Sequence, residues 1–243
     1  MKAAALALLV LAHAAAAAPD TPVVLELFTS EGCSSCPPAE ELLDRLLAEP
    51  NPPVALEYHV DYWDNLGWKD PFGSPDWSRL QGRFAAAFES EEIFTPQAVF
   101  DGAHQGVASD EKLVRGALSD ARAHPHPAKV KLQLSPVAAG KLPVAVEFEI
   151  SRKSESHGVT LSVLLTEDAL ASNPTAGELS GQKLTHQRVV RLSVEPTVEV
   201  SGKVHRARAE LALTPAWALP HLGVAALVRD ARLRVLGAAF ARP

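Results

Sequence analysis

The stretch EGCSSCPPAEELL, residues 31–43, holds both cysteines of the chain, Cys33 and Cys36, with Ser34 and Ser35 between them. A Cys-X-X-Cys pair can cycle between dithiol and disulfide, supply two thiolates to a soft metal, or close an inert bridge in an exported protein. As a bridge it is a poor staple, because a crosslink removes least entropy from the unfolded chain when the loop is shortest. Two prolines follow, and successive residues without an N–H fit a helix only in its first turn. The helix therefore starts near Pro37 or Pro38, with Cys33 about a turn before it, where the helix dipole fades. The hydroxyls of Ser34 and Ser35 are placed to compensate by hydrogen-bonding a thiolate.

A second group with chemical potential lies in VALEYHVDYW. Val54, Leu56, Tyr58 and Val60 share one face of a strand, while Glu57, His59, Asp61 and Trp63 follow one another on the opposite face. Strands buried inside an α/β sheet are expected to be apolar on both faces, so this polarity calls for a reason. If His59 emerges beside the dithiol, two thiolates and an imidazole suit Cu(I) or Zn(II). The structural alternative is a His59 hydrogen-bonded within the core or to Asp61. Between Asp61 and Trp77 lie Tyr62, Trp63, Trp68, Phe72 and Trp77. That loop is either a lid or apolar substrate groove, with Trp63 and Trp68 as contacts, or a satellite hydrophobic cluster. Lys69 and Asp70 read as a loop ion pair.

The elements that would position these residues fall into two parts. Lys2, the apolar run Ala3 to Ala12 and the small residues Ala14 to Ala18 read as a cleavable export signal over 1–18, too short for a membrane helix, which needs ~20 residues. From Val23 to Ala123 strand and helix periods alternate: strands at VVLELF, VALEYHV and QAVF, and helices over the Leu42–Leu47 region, from Ser74-Pro75 to about Glu91, and after Ser109 as cap. Asp101-Gly102 turns a hairpin. HPHPAK, His124 to Lys129, marks a boundary. Beyond it about eight alternating segments predict a two-layer antiparallel sandwich over 128–243 without apparent chemistry, since His157, His186, His205 and His221 have no ligand spacing and read as surface or packing residues. The net charge of -6 carries no clustered basic surface and argues against a nucleic-acid partner.

The order strand, CxxC, helix, strand, helix, hairpin, helix resembles the thioredoxin fold over residues 21–124. Thr95-Pro96 sits where thioredoxin-like proteins hold a cis-proline facing the dithiol. More closely, ELFTSEGCSSCPPAE, YHVDYWDNLGWKDPF and FTPQAVFDG, in that order after a signal peptide, resemble a secreted thioredoxin-like family catalogued as a domain of unknown function. The resemblance implies an α/β thioredoxin-like domain followed by an all-β sandwich-like domain, in a secreted or periplasmic protein without an integral membrane segment after signal cleavage. It further implies thiol-disulfide exchange with a protein or peptide partner, without an organic cofactor. Cys33, the first and more exposed cysteine, would attack; Cys36 would resolve; Thr95 and Pro96 would present backbone to the substrate. Such proteins often carry a buried acid on the preceding strand, and Glu26 is the candidate, although its separation from Cys33 differs from that pattern by one residue, which reverses the strand face. The alternatives are a copper-type binding protein using Cys33, Cys36 and His59, and a non-catalytic thioredoxin-fold adaptor.

Overall fold

A computed structural model describes residues 22–151 and 158–243. The expected export signal at 1–18 and His157 lie outside the described residues. The architecture is mixed α/β, mostly sheet with few helices. In chain order the helix-bearing part runs β1 (Val24–Thr29), α1 (Pro37–Leu47), β2 (Val54–His59), α2 (Pro75–Ala87), β3 (Gln97–Phe100), β4 (His104–Val107) and α3 (Glu111–Ala123). The strands that follow are β5 (Ala128–Leu134), β6 (Lys141–Ile150), β7 (Thr160–Glu167), β8 (Leu170–Ser172), β9 (Leu184–His186), β10 (Val189–Val194), β11 (Glu199–Ser201), β12 (Val204–Ala212), β13 (Leu222–Arg229) and β14 (Val235–Ala241).

Local chemistry sets the helix starts. Cys36 is the N-cap of α1 and the two prolines take its first positions, where their missing N–H groups cost nothing. Ser74 caps α2 by accepting from the Asp76 N–H, with Pro75 first in the helix. At α3 the cap is Asp110 rather than Ser109: its carboxylate accepts from the Leu113 N–H at 3.0 Å. An ionised oxygen there also meets the positive end of the helix dipole. α2 stops at Ala87, short of the expected Glu91, because Glu89 takes a positive φ of 54°.

The strands form an eight-stranded sheet in the order β14-β13-β7-β10-β2-β1-β3-β4, a four-stranded sheet β11-β12-β6-β5, and the pair β8-β9. The large sheet crosses the 124–129 boundary, since β10 pairs in parallel with β2 through Val189 and Glu57. On one face, Val24, Phe28, Leu56 and Tyr58 pack with Trp77 and Phe84 of α2, and the same core takes in Leu164, Ala225 and Leu227. On the other face, Leu25, Leu27 and Ala55 meet Leu42, Leu43 and Leu46 of α1 and Leu118 of α3. Farther along, Leu161, Val163, Leu165, Val224 and Ala226 pack against Val144, Val146 and Phe148 of the four-stranded sheet.

These faces can be joined. Glu57 and His59 follow Ala55 on the α1 side of β2, Glu57 pairs with Val189, and Val189 pairs with Glu167 at the end of the Leu161, Val163, Leu165 row. The polar side chains of β2 therefore sit at a seam, between the helices that cover one half of the large sheet and the small sheet that covers the other. The Asp101-Gly102 turn also reaches across: the Asp101 carbonyl accepts from the Val235 N–H at 2.7 Å, and its carboxylate from the Val24 N–H at 2.7 Å.

Candidate functional site

Cys33 and Cys36 form a disulfide at the start of α1. Ser35 Oγ lies 3.4 Å from Cys33 Sγ and donates to the Thr95 carbonyl at 3.5 Å, which places the Thr95-Pro96 bend, a cis peptide bond, against the cysteine turn. Trp63 donates from its indole N–H to Thr95 Oγ1 at 2.9 Å. Its Cβ also packs on Gly32, where an added methyl would come within 2.7 Å. The expectation that Cys33 is the more exposed cysteine is corrected: both cysteines are 0% exposed, and the intervening serines form the outer surface. Cover comes from the second part of the chain as well, because the Ser34 N–H donates to Glu178 Oε2 at 3.1 Å. Hydrogen bonding from the Ser34 hydroxyl, and then from its N–H, holds the Glu178 carboxyl below its ordinary range.

Next to the cysteine turn is a buried polar cluster drawn from five segments. Glu31, Glu40, Glu57, His59, Asp70 and His186 are all at least nine-tenths buried. His59 Nε2 is 2.8 Å from Glu57 Oε1, and its Nδ1 is 2.8 Å from Asp70 Oδ2. His186 Nε2 is 3.1 Å from Glu31 Oε1, while its Nδ1 is 3.1 Å from Glu57 Oε1 and 3.3 Å from Glu40 Oε2. Supporting donors fix the carboxylates: the Trp68 indole N–H to Glu31 at 2.7 Å, the Thr29 hydroxyl to Glu40 at 2.5 Å, and the Glu31 and Phe72 N–H groups to Asp70 at 2.8 Å each. Phe72 closes the top, its ring edge-on to both imidazoles.

Burial by itself disfavours every charge in this cluster. For His59 burial pushes downward, but the charge and hydrogen bond of Asp70, with the hydrogen bond of Glu57, outweigh it and hold the imidazolium up at about 10. His186 is likewise raised against burial by its contacts with Glu31, Glu40 and Glu57. Burial raises Asp70, yet the His59 charge and the two backbone N–H donors bring it down to about 2. Glu57 is lowered against burial by the two histidines.

The residues singled out in the sequence divide between these two features. Cys33, Cys36, Ser34, Ser35, Trp63, Thr95 and Pro96 meet at the disulfide. His59 and Trp68 belong to the polar cluster, and both ring nitrogens of His59 face carboxylates rather than sulfur. Asp61 is engaged elsewhere, its carboxylate accepting from the Ser78 hydroxyl in α2. Asp70 turns inward instead of pairing with Lys69 in the loop. Glu26 lies on the α2 face of β1, opposite α1, where it accepts both terminal nitrogens of Arg229 at 2.7 and 3.0 Å. Sequence reading missed Glu31, Glu40, His186 and Glu178; His186 is a buried network residue rather than an ordinary surface or packing histidine. The available signal was Glu57 and His59 on a strand face that should be apolar, since buried charges require partners.

Solved structures share this fold. Protein AGR_C_4864 from Agrobacterium tumefaciens superposes with a TM-score of 0.68 at 24% identity, over 93% of this chain and 95% of that one. HBP35 of Porphyromonas gingivalis gives a TM-score of 0.65 at 16% identity, over 91% of this chain and 75% of that one. At these identities the likeness speaks to the fold alone. A comparison with curated proteins finds no match. Residues 24–229 match the family described as Protein of unknown function (DUF1223), and the chain belongs to that family.

Proposed function

We propose that this is an exported thiol-disulfide exchange protein whose helix-bearing part is thioredoxin-like and whose second part is a sandwich-like β layer fused to it. The observation that carries the reading is the Cys33–Cys36 disulfide at the first turn of α1, with Ser35 joining it to the Thr95-Pro96 bend. The element order β1-α1-β2-α2-β3-β4-α3 supports the same view, and among the described residues no helix is long and apolar enough to cross a membrane.

In the oxidised form, a partner thiolate attacks Cys33 Sγ, the S–S bond breaks, and Cys36 leaves as a thiolate. A second partner thiol then attacks the mixed disulfide and releases Cys33, so two electrons pass from a partner dithiol to this protein. The reverse sequence oxidises the protein by reducing a partner disulfide. Cys36 at the N-cap lies at the positive end of the α1 dipole, which lowers the cost of that charge even though Pro37 and Pro38 offer it no N–H. Thr95, Pro96 and Trp63 would hold an extended partner segment beside the sulfurs, in the manner of β-strand addition. Because both sulfurs are buried beneath the Ser34-Ser35 turn, exchange requires that turn to move.

The test is equilibration of the full chain in glutathione buffers, with Cys33→Ser and Cys36→Ser as controls. Reversible cycling, and a mixed disulfide trapped by Cys36→Ser, are the expected results. A bridge that glutathione opens at no ratio refutes exchange and leaves a non-catalytic adaptor.

A further inference from the structure

We propose that Glu57, His59 and His186 form a buried binding site for a divalent transition metal of the zinc class, separate from the disulfide. The donor atoms already converge. His59 Nε2 and His186 Nδ1 lie 2.8 and 3.1 Å from the same oxygen, Glu57 Oε1, and Glu40 Oε2 lies 3.3 Å from His186 Nδ1. One ligand atom from each of Glu57, His59 and His186 falls within 4.8 Å of the others. Tetrahedral coordination with bonds of about 2.0–2.1 Å separates donor atoms by roughly 3.3 Å. The two contacts to Glu57 Oε1 are already near that spacing, whereas Glu40, outside the group that converges within 4.8 Å, would have to move to join.

The far side of each imidazole has the arrangement of a metal ligand. His59 Nδ1 is hydrogen-bonded to Asp70, and His186 Nε2 to Glu31. A carboxylate on the second ring nitrogen fixes which nitrogen carries the proton and aims the other at the ion. These carboxylates are themselves held, Asp70 by backbone N–H groups and Glu31 by the Trp68 indole.

An independent observation points into the same space. Glu57 Oε2 and His186 Nδ1 are buried without a hydrogen-bond partner, although each residue is only 1% exposed. His186 Nδ1 is near two carboxylate oxygens, yet neither contact has hydrogen-bond geometry. Buried polar atoms are usually paired, and an ion bound by both residues accounts for an unpaired imidazole nitrogen on His186 and an unpaired oxygen on its neighbour Glu57. The donor set, two imidazoles and a carboxylate, favours a borderline ion such as Zn(II) over thiophilic Cu(I). Since His186 comes from β9 and the other two ligands from β2, the ion would clamp the two parts of the chain together.

The experiment uses the full chain carrying Cys33→Ser and Cys36→Ser, so that no thiolate competes and the result is independent of the redox reading. The protein is refolded after chelator treatment with and without Zn(II), desalted, and analysed for retained metal and by X-ray absorption. One retained Zn(II) per chain, with a nitrogen and oxygen shell and imidazole scattering, is expected. His186→Gln should weaken binding at least ~100-fold, and Asp70→Asn, which acts only through His59, about 10- to 100-fold. Folded protein that retains no Zn(II), or a folded His186→Gln variant that retains it undiminished, overturns the proposal. Should the variants misfold, the absorption spectrum decides: a shell without imidazole overturns it as well.

Discussion

Arg229→Met is the substitution whose effect follows most directly from the structure. Glu26 is 0% exposed among Val24, Phe28, Tyr58 and Phe84, and its two oxygens are held by Arg229, itself 4% exposed. The contacts at 2.7 and 3.0 Å form a two-pronged, charge-assisted pair across 203 residues of sequence. Burial depresses the guanidinium, and the Glu26 charge and hydrogen bonds outweigh that and raise it. Methionine keeps much of the volume but leaves Glu26 as a buried carboxylate with no cation. Breaking such a pair costs about 3–5 kcal/mol, whereas replacing both members with apolar residues is often near neutral. With a urea slope of about 3 kcal/mol/M, the midpoint should fall by about 1–1.7 M. Glu26→Leu combined with Arg229→Met should recover most of that loss. Urea titrations followed by far-UV circular dichroism measure the two single variants, Arg229→Met and Glu26→Leu, and the double variant. A single-variant loss below about 1 kcal/mol, or a double variant worse than the sum of the singles, refutes the reasoning.

Gly102→Ala should destabilise by about 2–4 kcal/mol in the same assay, because the turn holds φ at 64° and an added Cβ would meet the Leu233 carbonyl oxygen at 2.1 Å. A neutral Gly102→Ala would show that the turn can move away from β14. Of the two tyrosines, Tyr58 is pushed well above its ordinary value by burial and by the nearby Glu26. Phenolate absorbance at pH 11 should therefore account for at most one residue until the chain unfolds. Because the unfolded chain alone ionises this group near pH 10, stability should fall as pH rises past that value. Glu178→Ala removes the acceptor over Ser34 and should speed reduction of the disulfide by dithiothreitol severalfold; an unchanged rate would mean that this loop does not control access.

What was legible in the sequence was local. Pro37-Pro38, Ser74-Pro75 and Asp101-Gly102 each announce a helix start or a turn through their own backbone limits, and each stands where those limits put it. Ser109 and Asp110 are both good caps, so sequence fixes that boundary only to within a residue. The alternation in β5, β6 and β12 reads as half-buried strands because one face meets the other sheet and one meets water. What was not legible depends on distant pairing. No spacing rule connects His186 with Glu57, or Arg229 with Glu26: β9 lies outside the large sheet and three strands separate β13 from β1 within it, so only the tertiary fold brings them together. The aromatic loop illustrates the same limit: its composition left a groove and a satellite hydrophobic cluster equally open, whereas Trp68 and Phe72 face a buried polar cluster that the sequence did not reveal.

These long-range pairs bear on whether the two parts of the chain can exist apart. Residues 22–124 hold the disulfide and most of the polar cluster, but lack His186 and Arg229. Alone, that segment would leave Glu26 without its cation, and Glu31, Glu40 and Glu57 without the imidazole they share. It would also turn β2, buried along its whole length, into an edge strand, and strip Leu164, Val190, Ala225 and Leu227 from the α2 core. Two broken buried charge sets at about 3–5 kcal/mol each rival the whole stability of an ordinary domain, about 5–15 kcal/mol. The 22–124 fragment is therefore expected to lack near-UV circular dichroism and a cooperative urea transition at neutral pH, even with its disulfide closed. A fragment that unfolds cooperatively would show that these contacts adorn an autonomous unit, and that the second part of the chain serves some purpose other than completing the buried charge of the first.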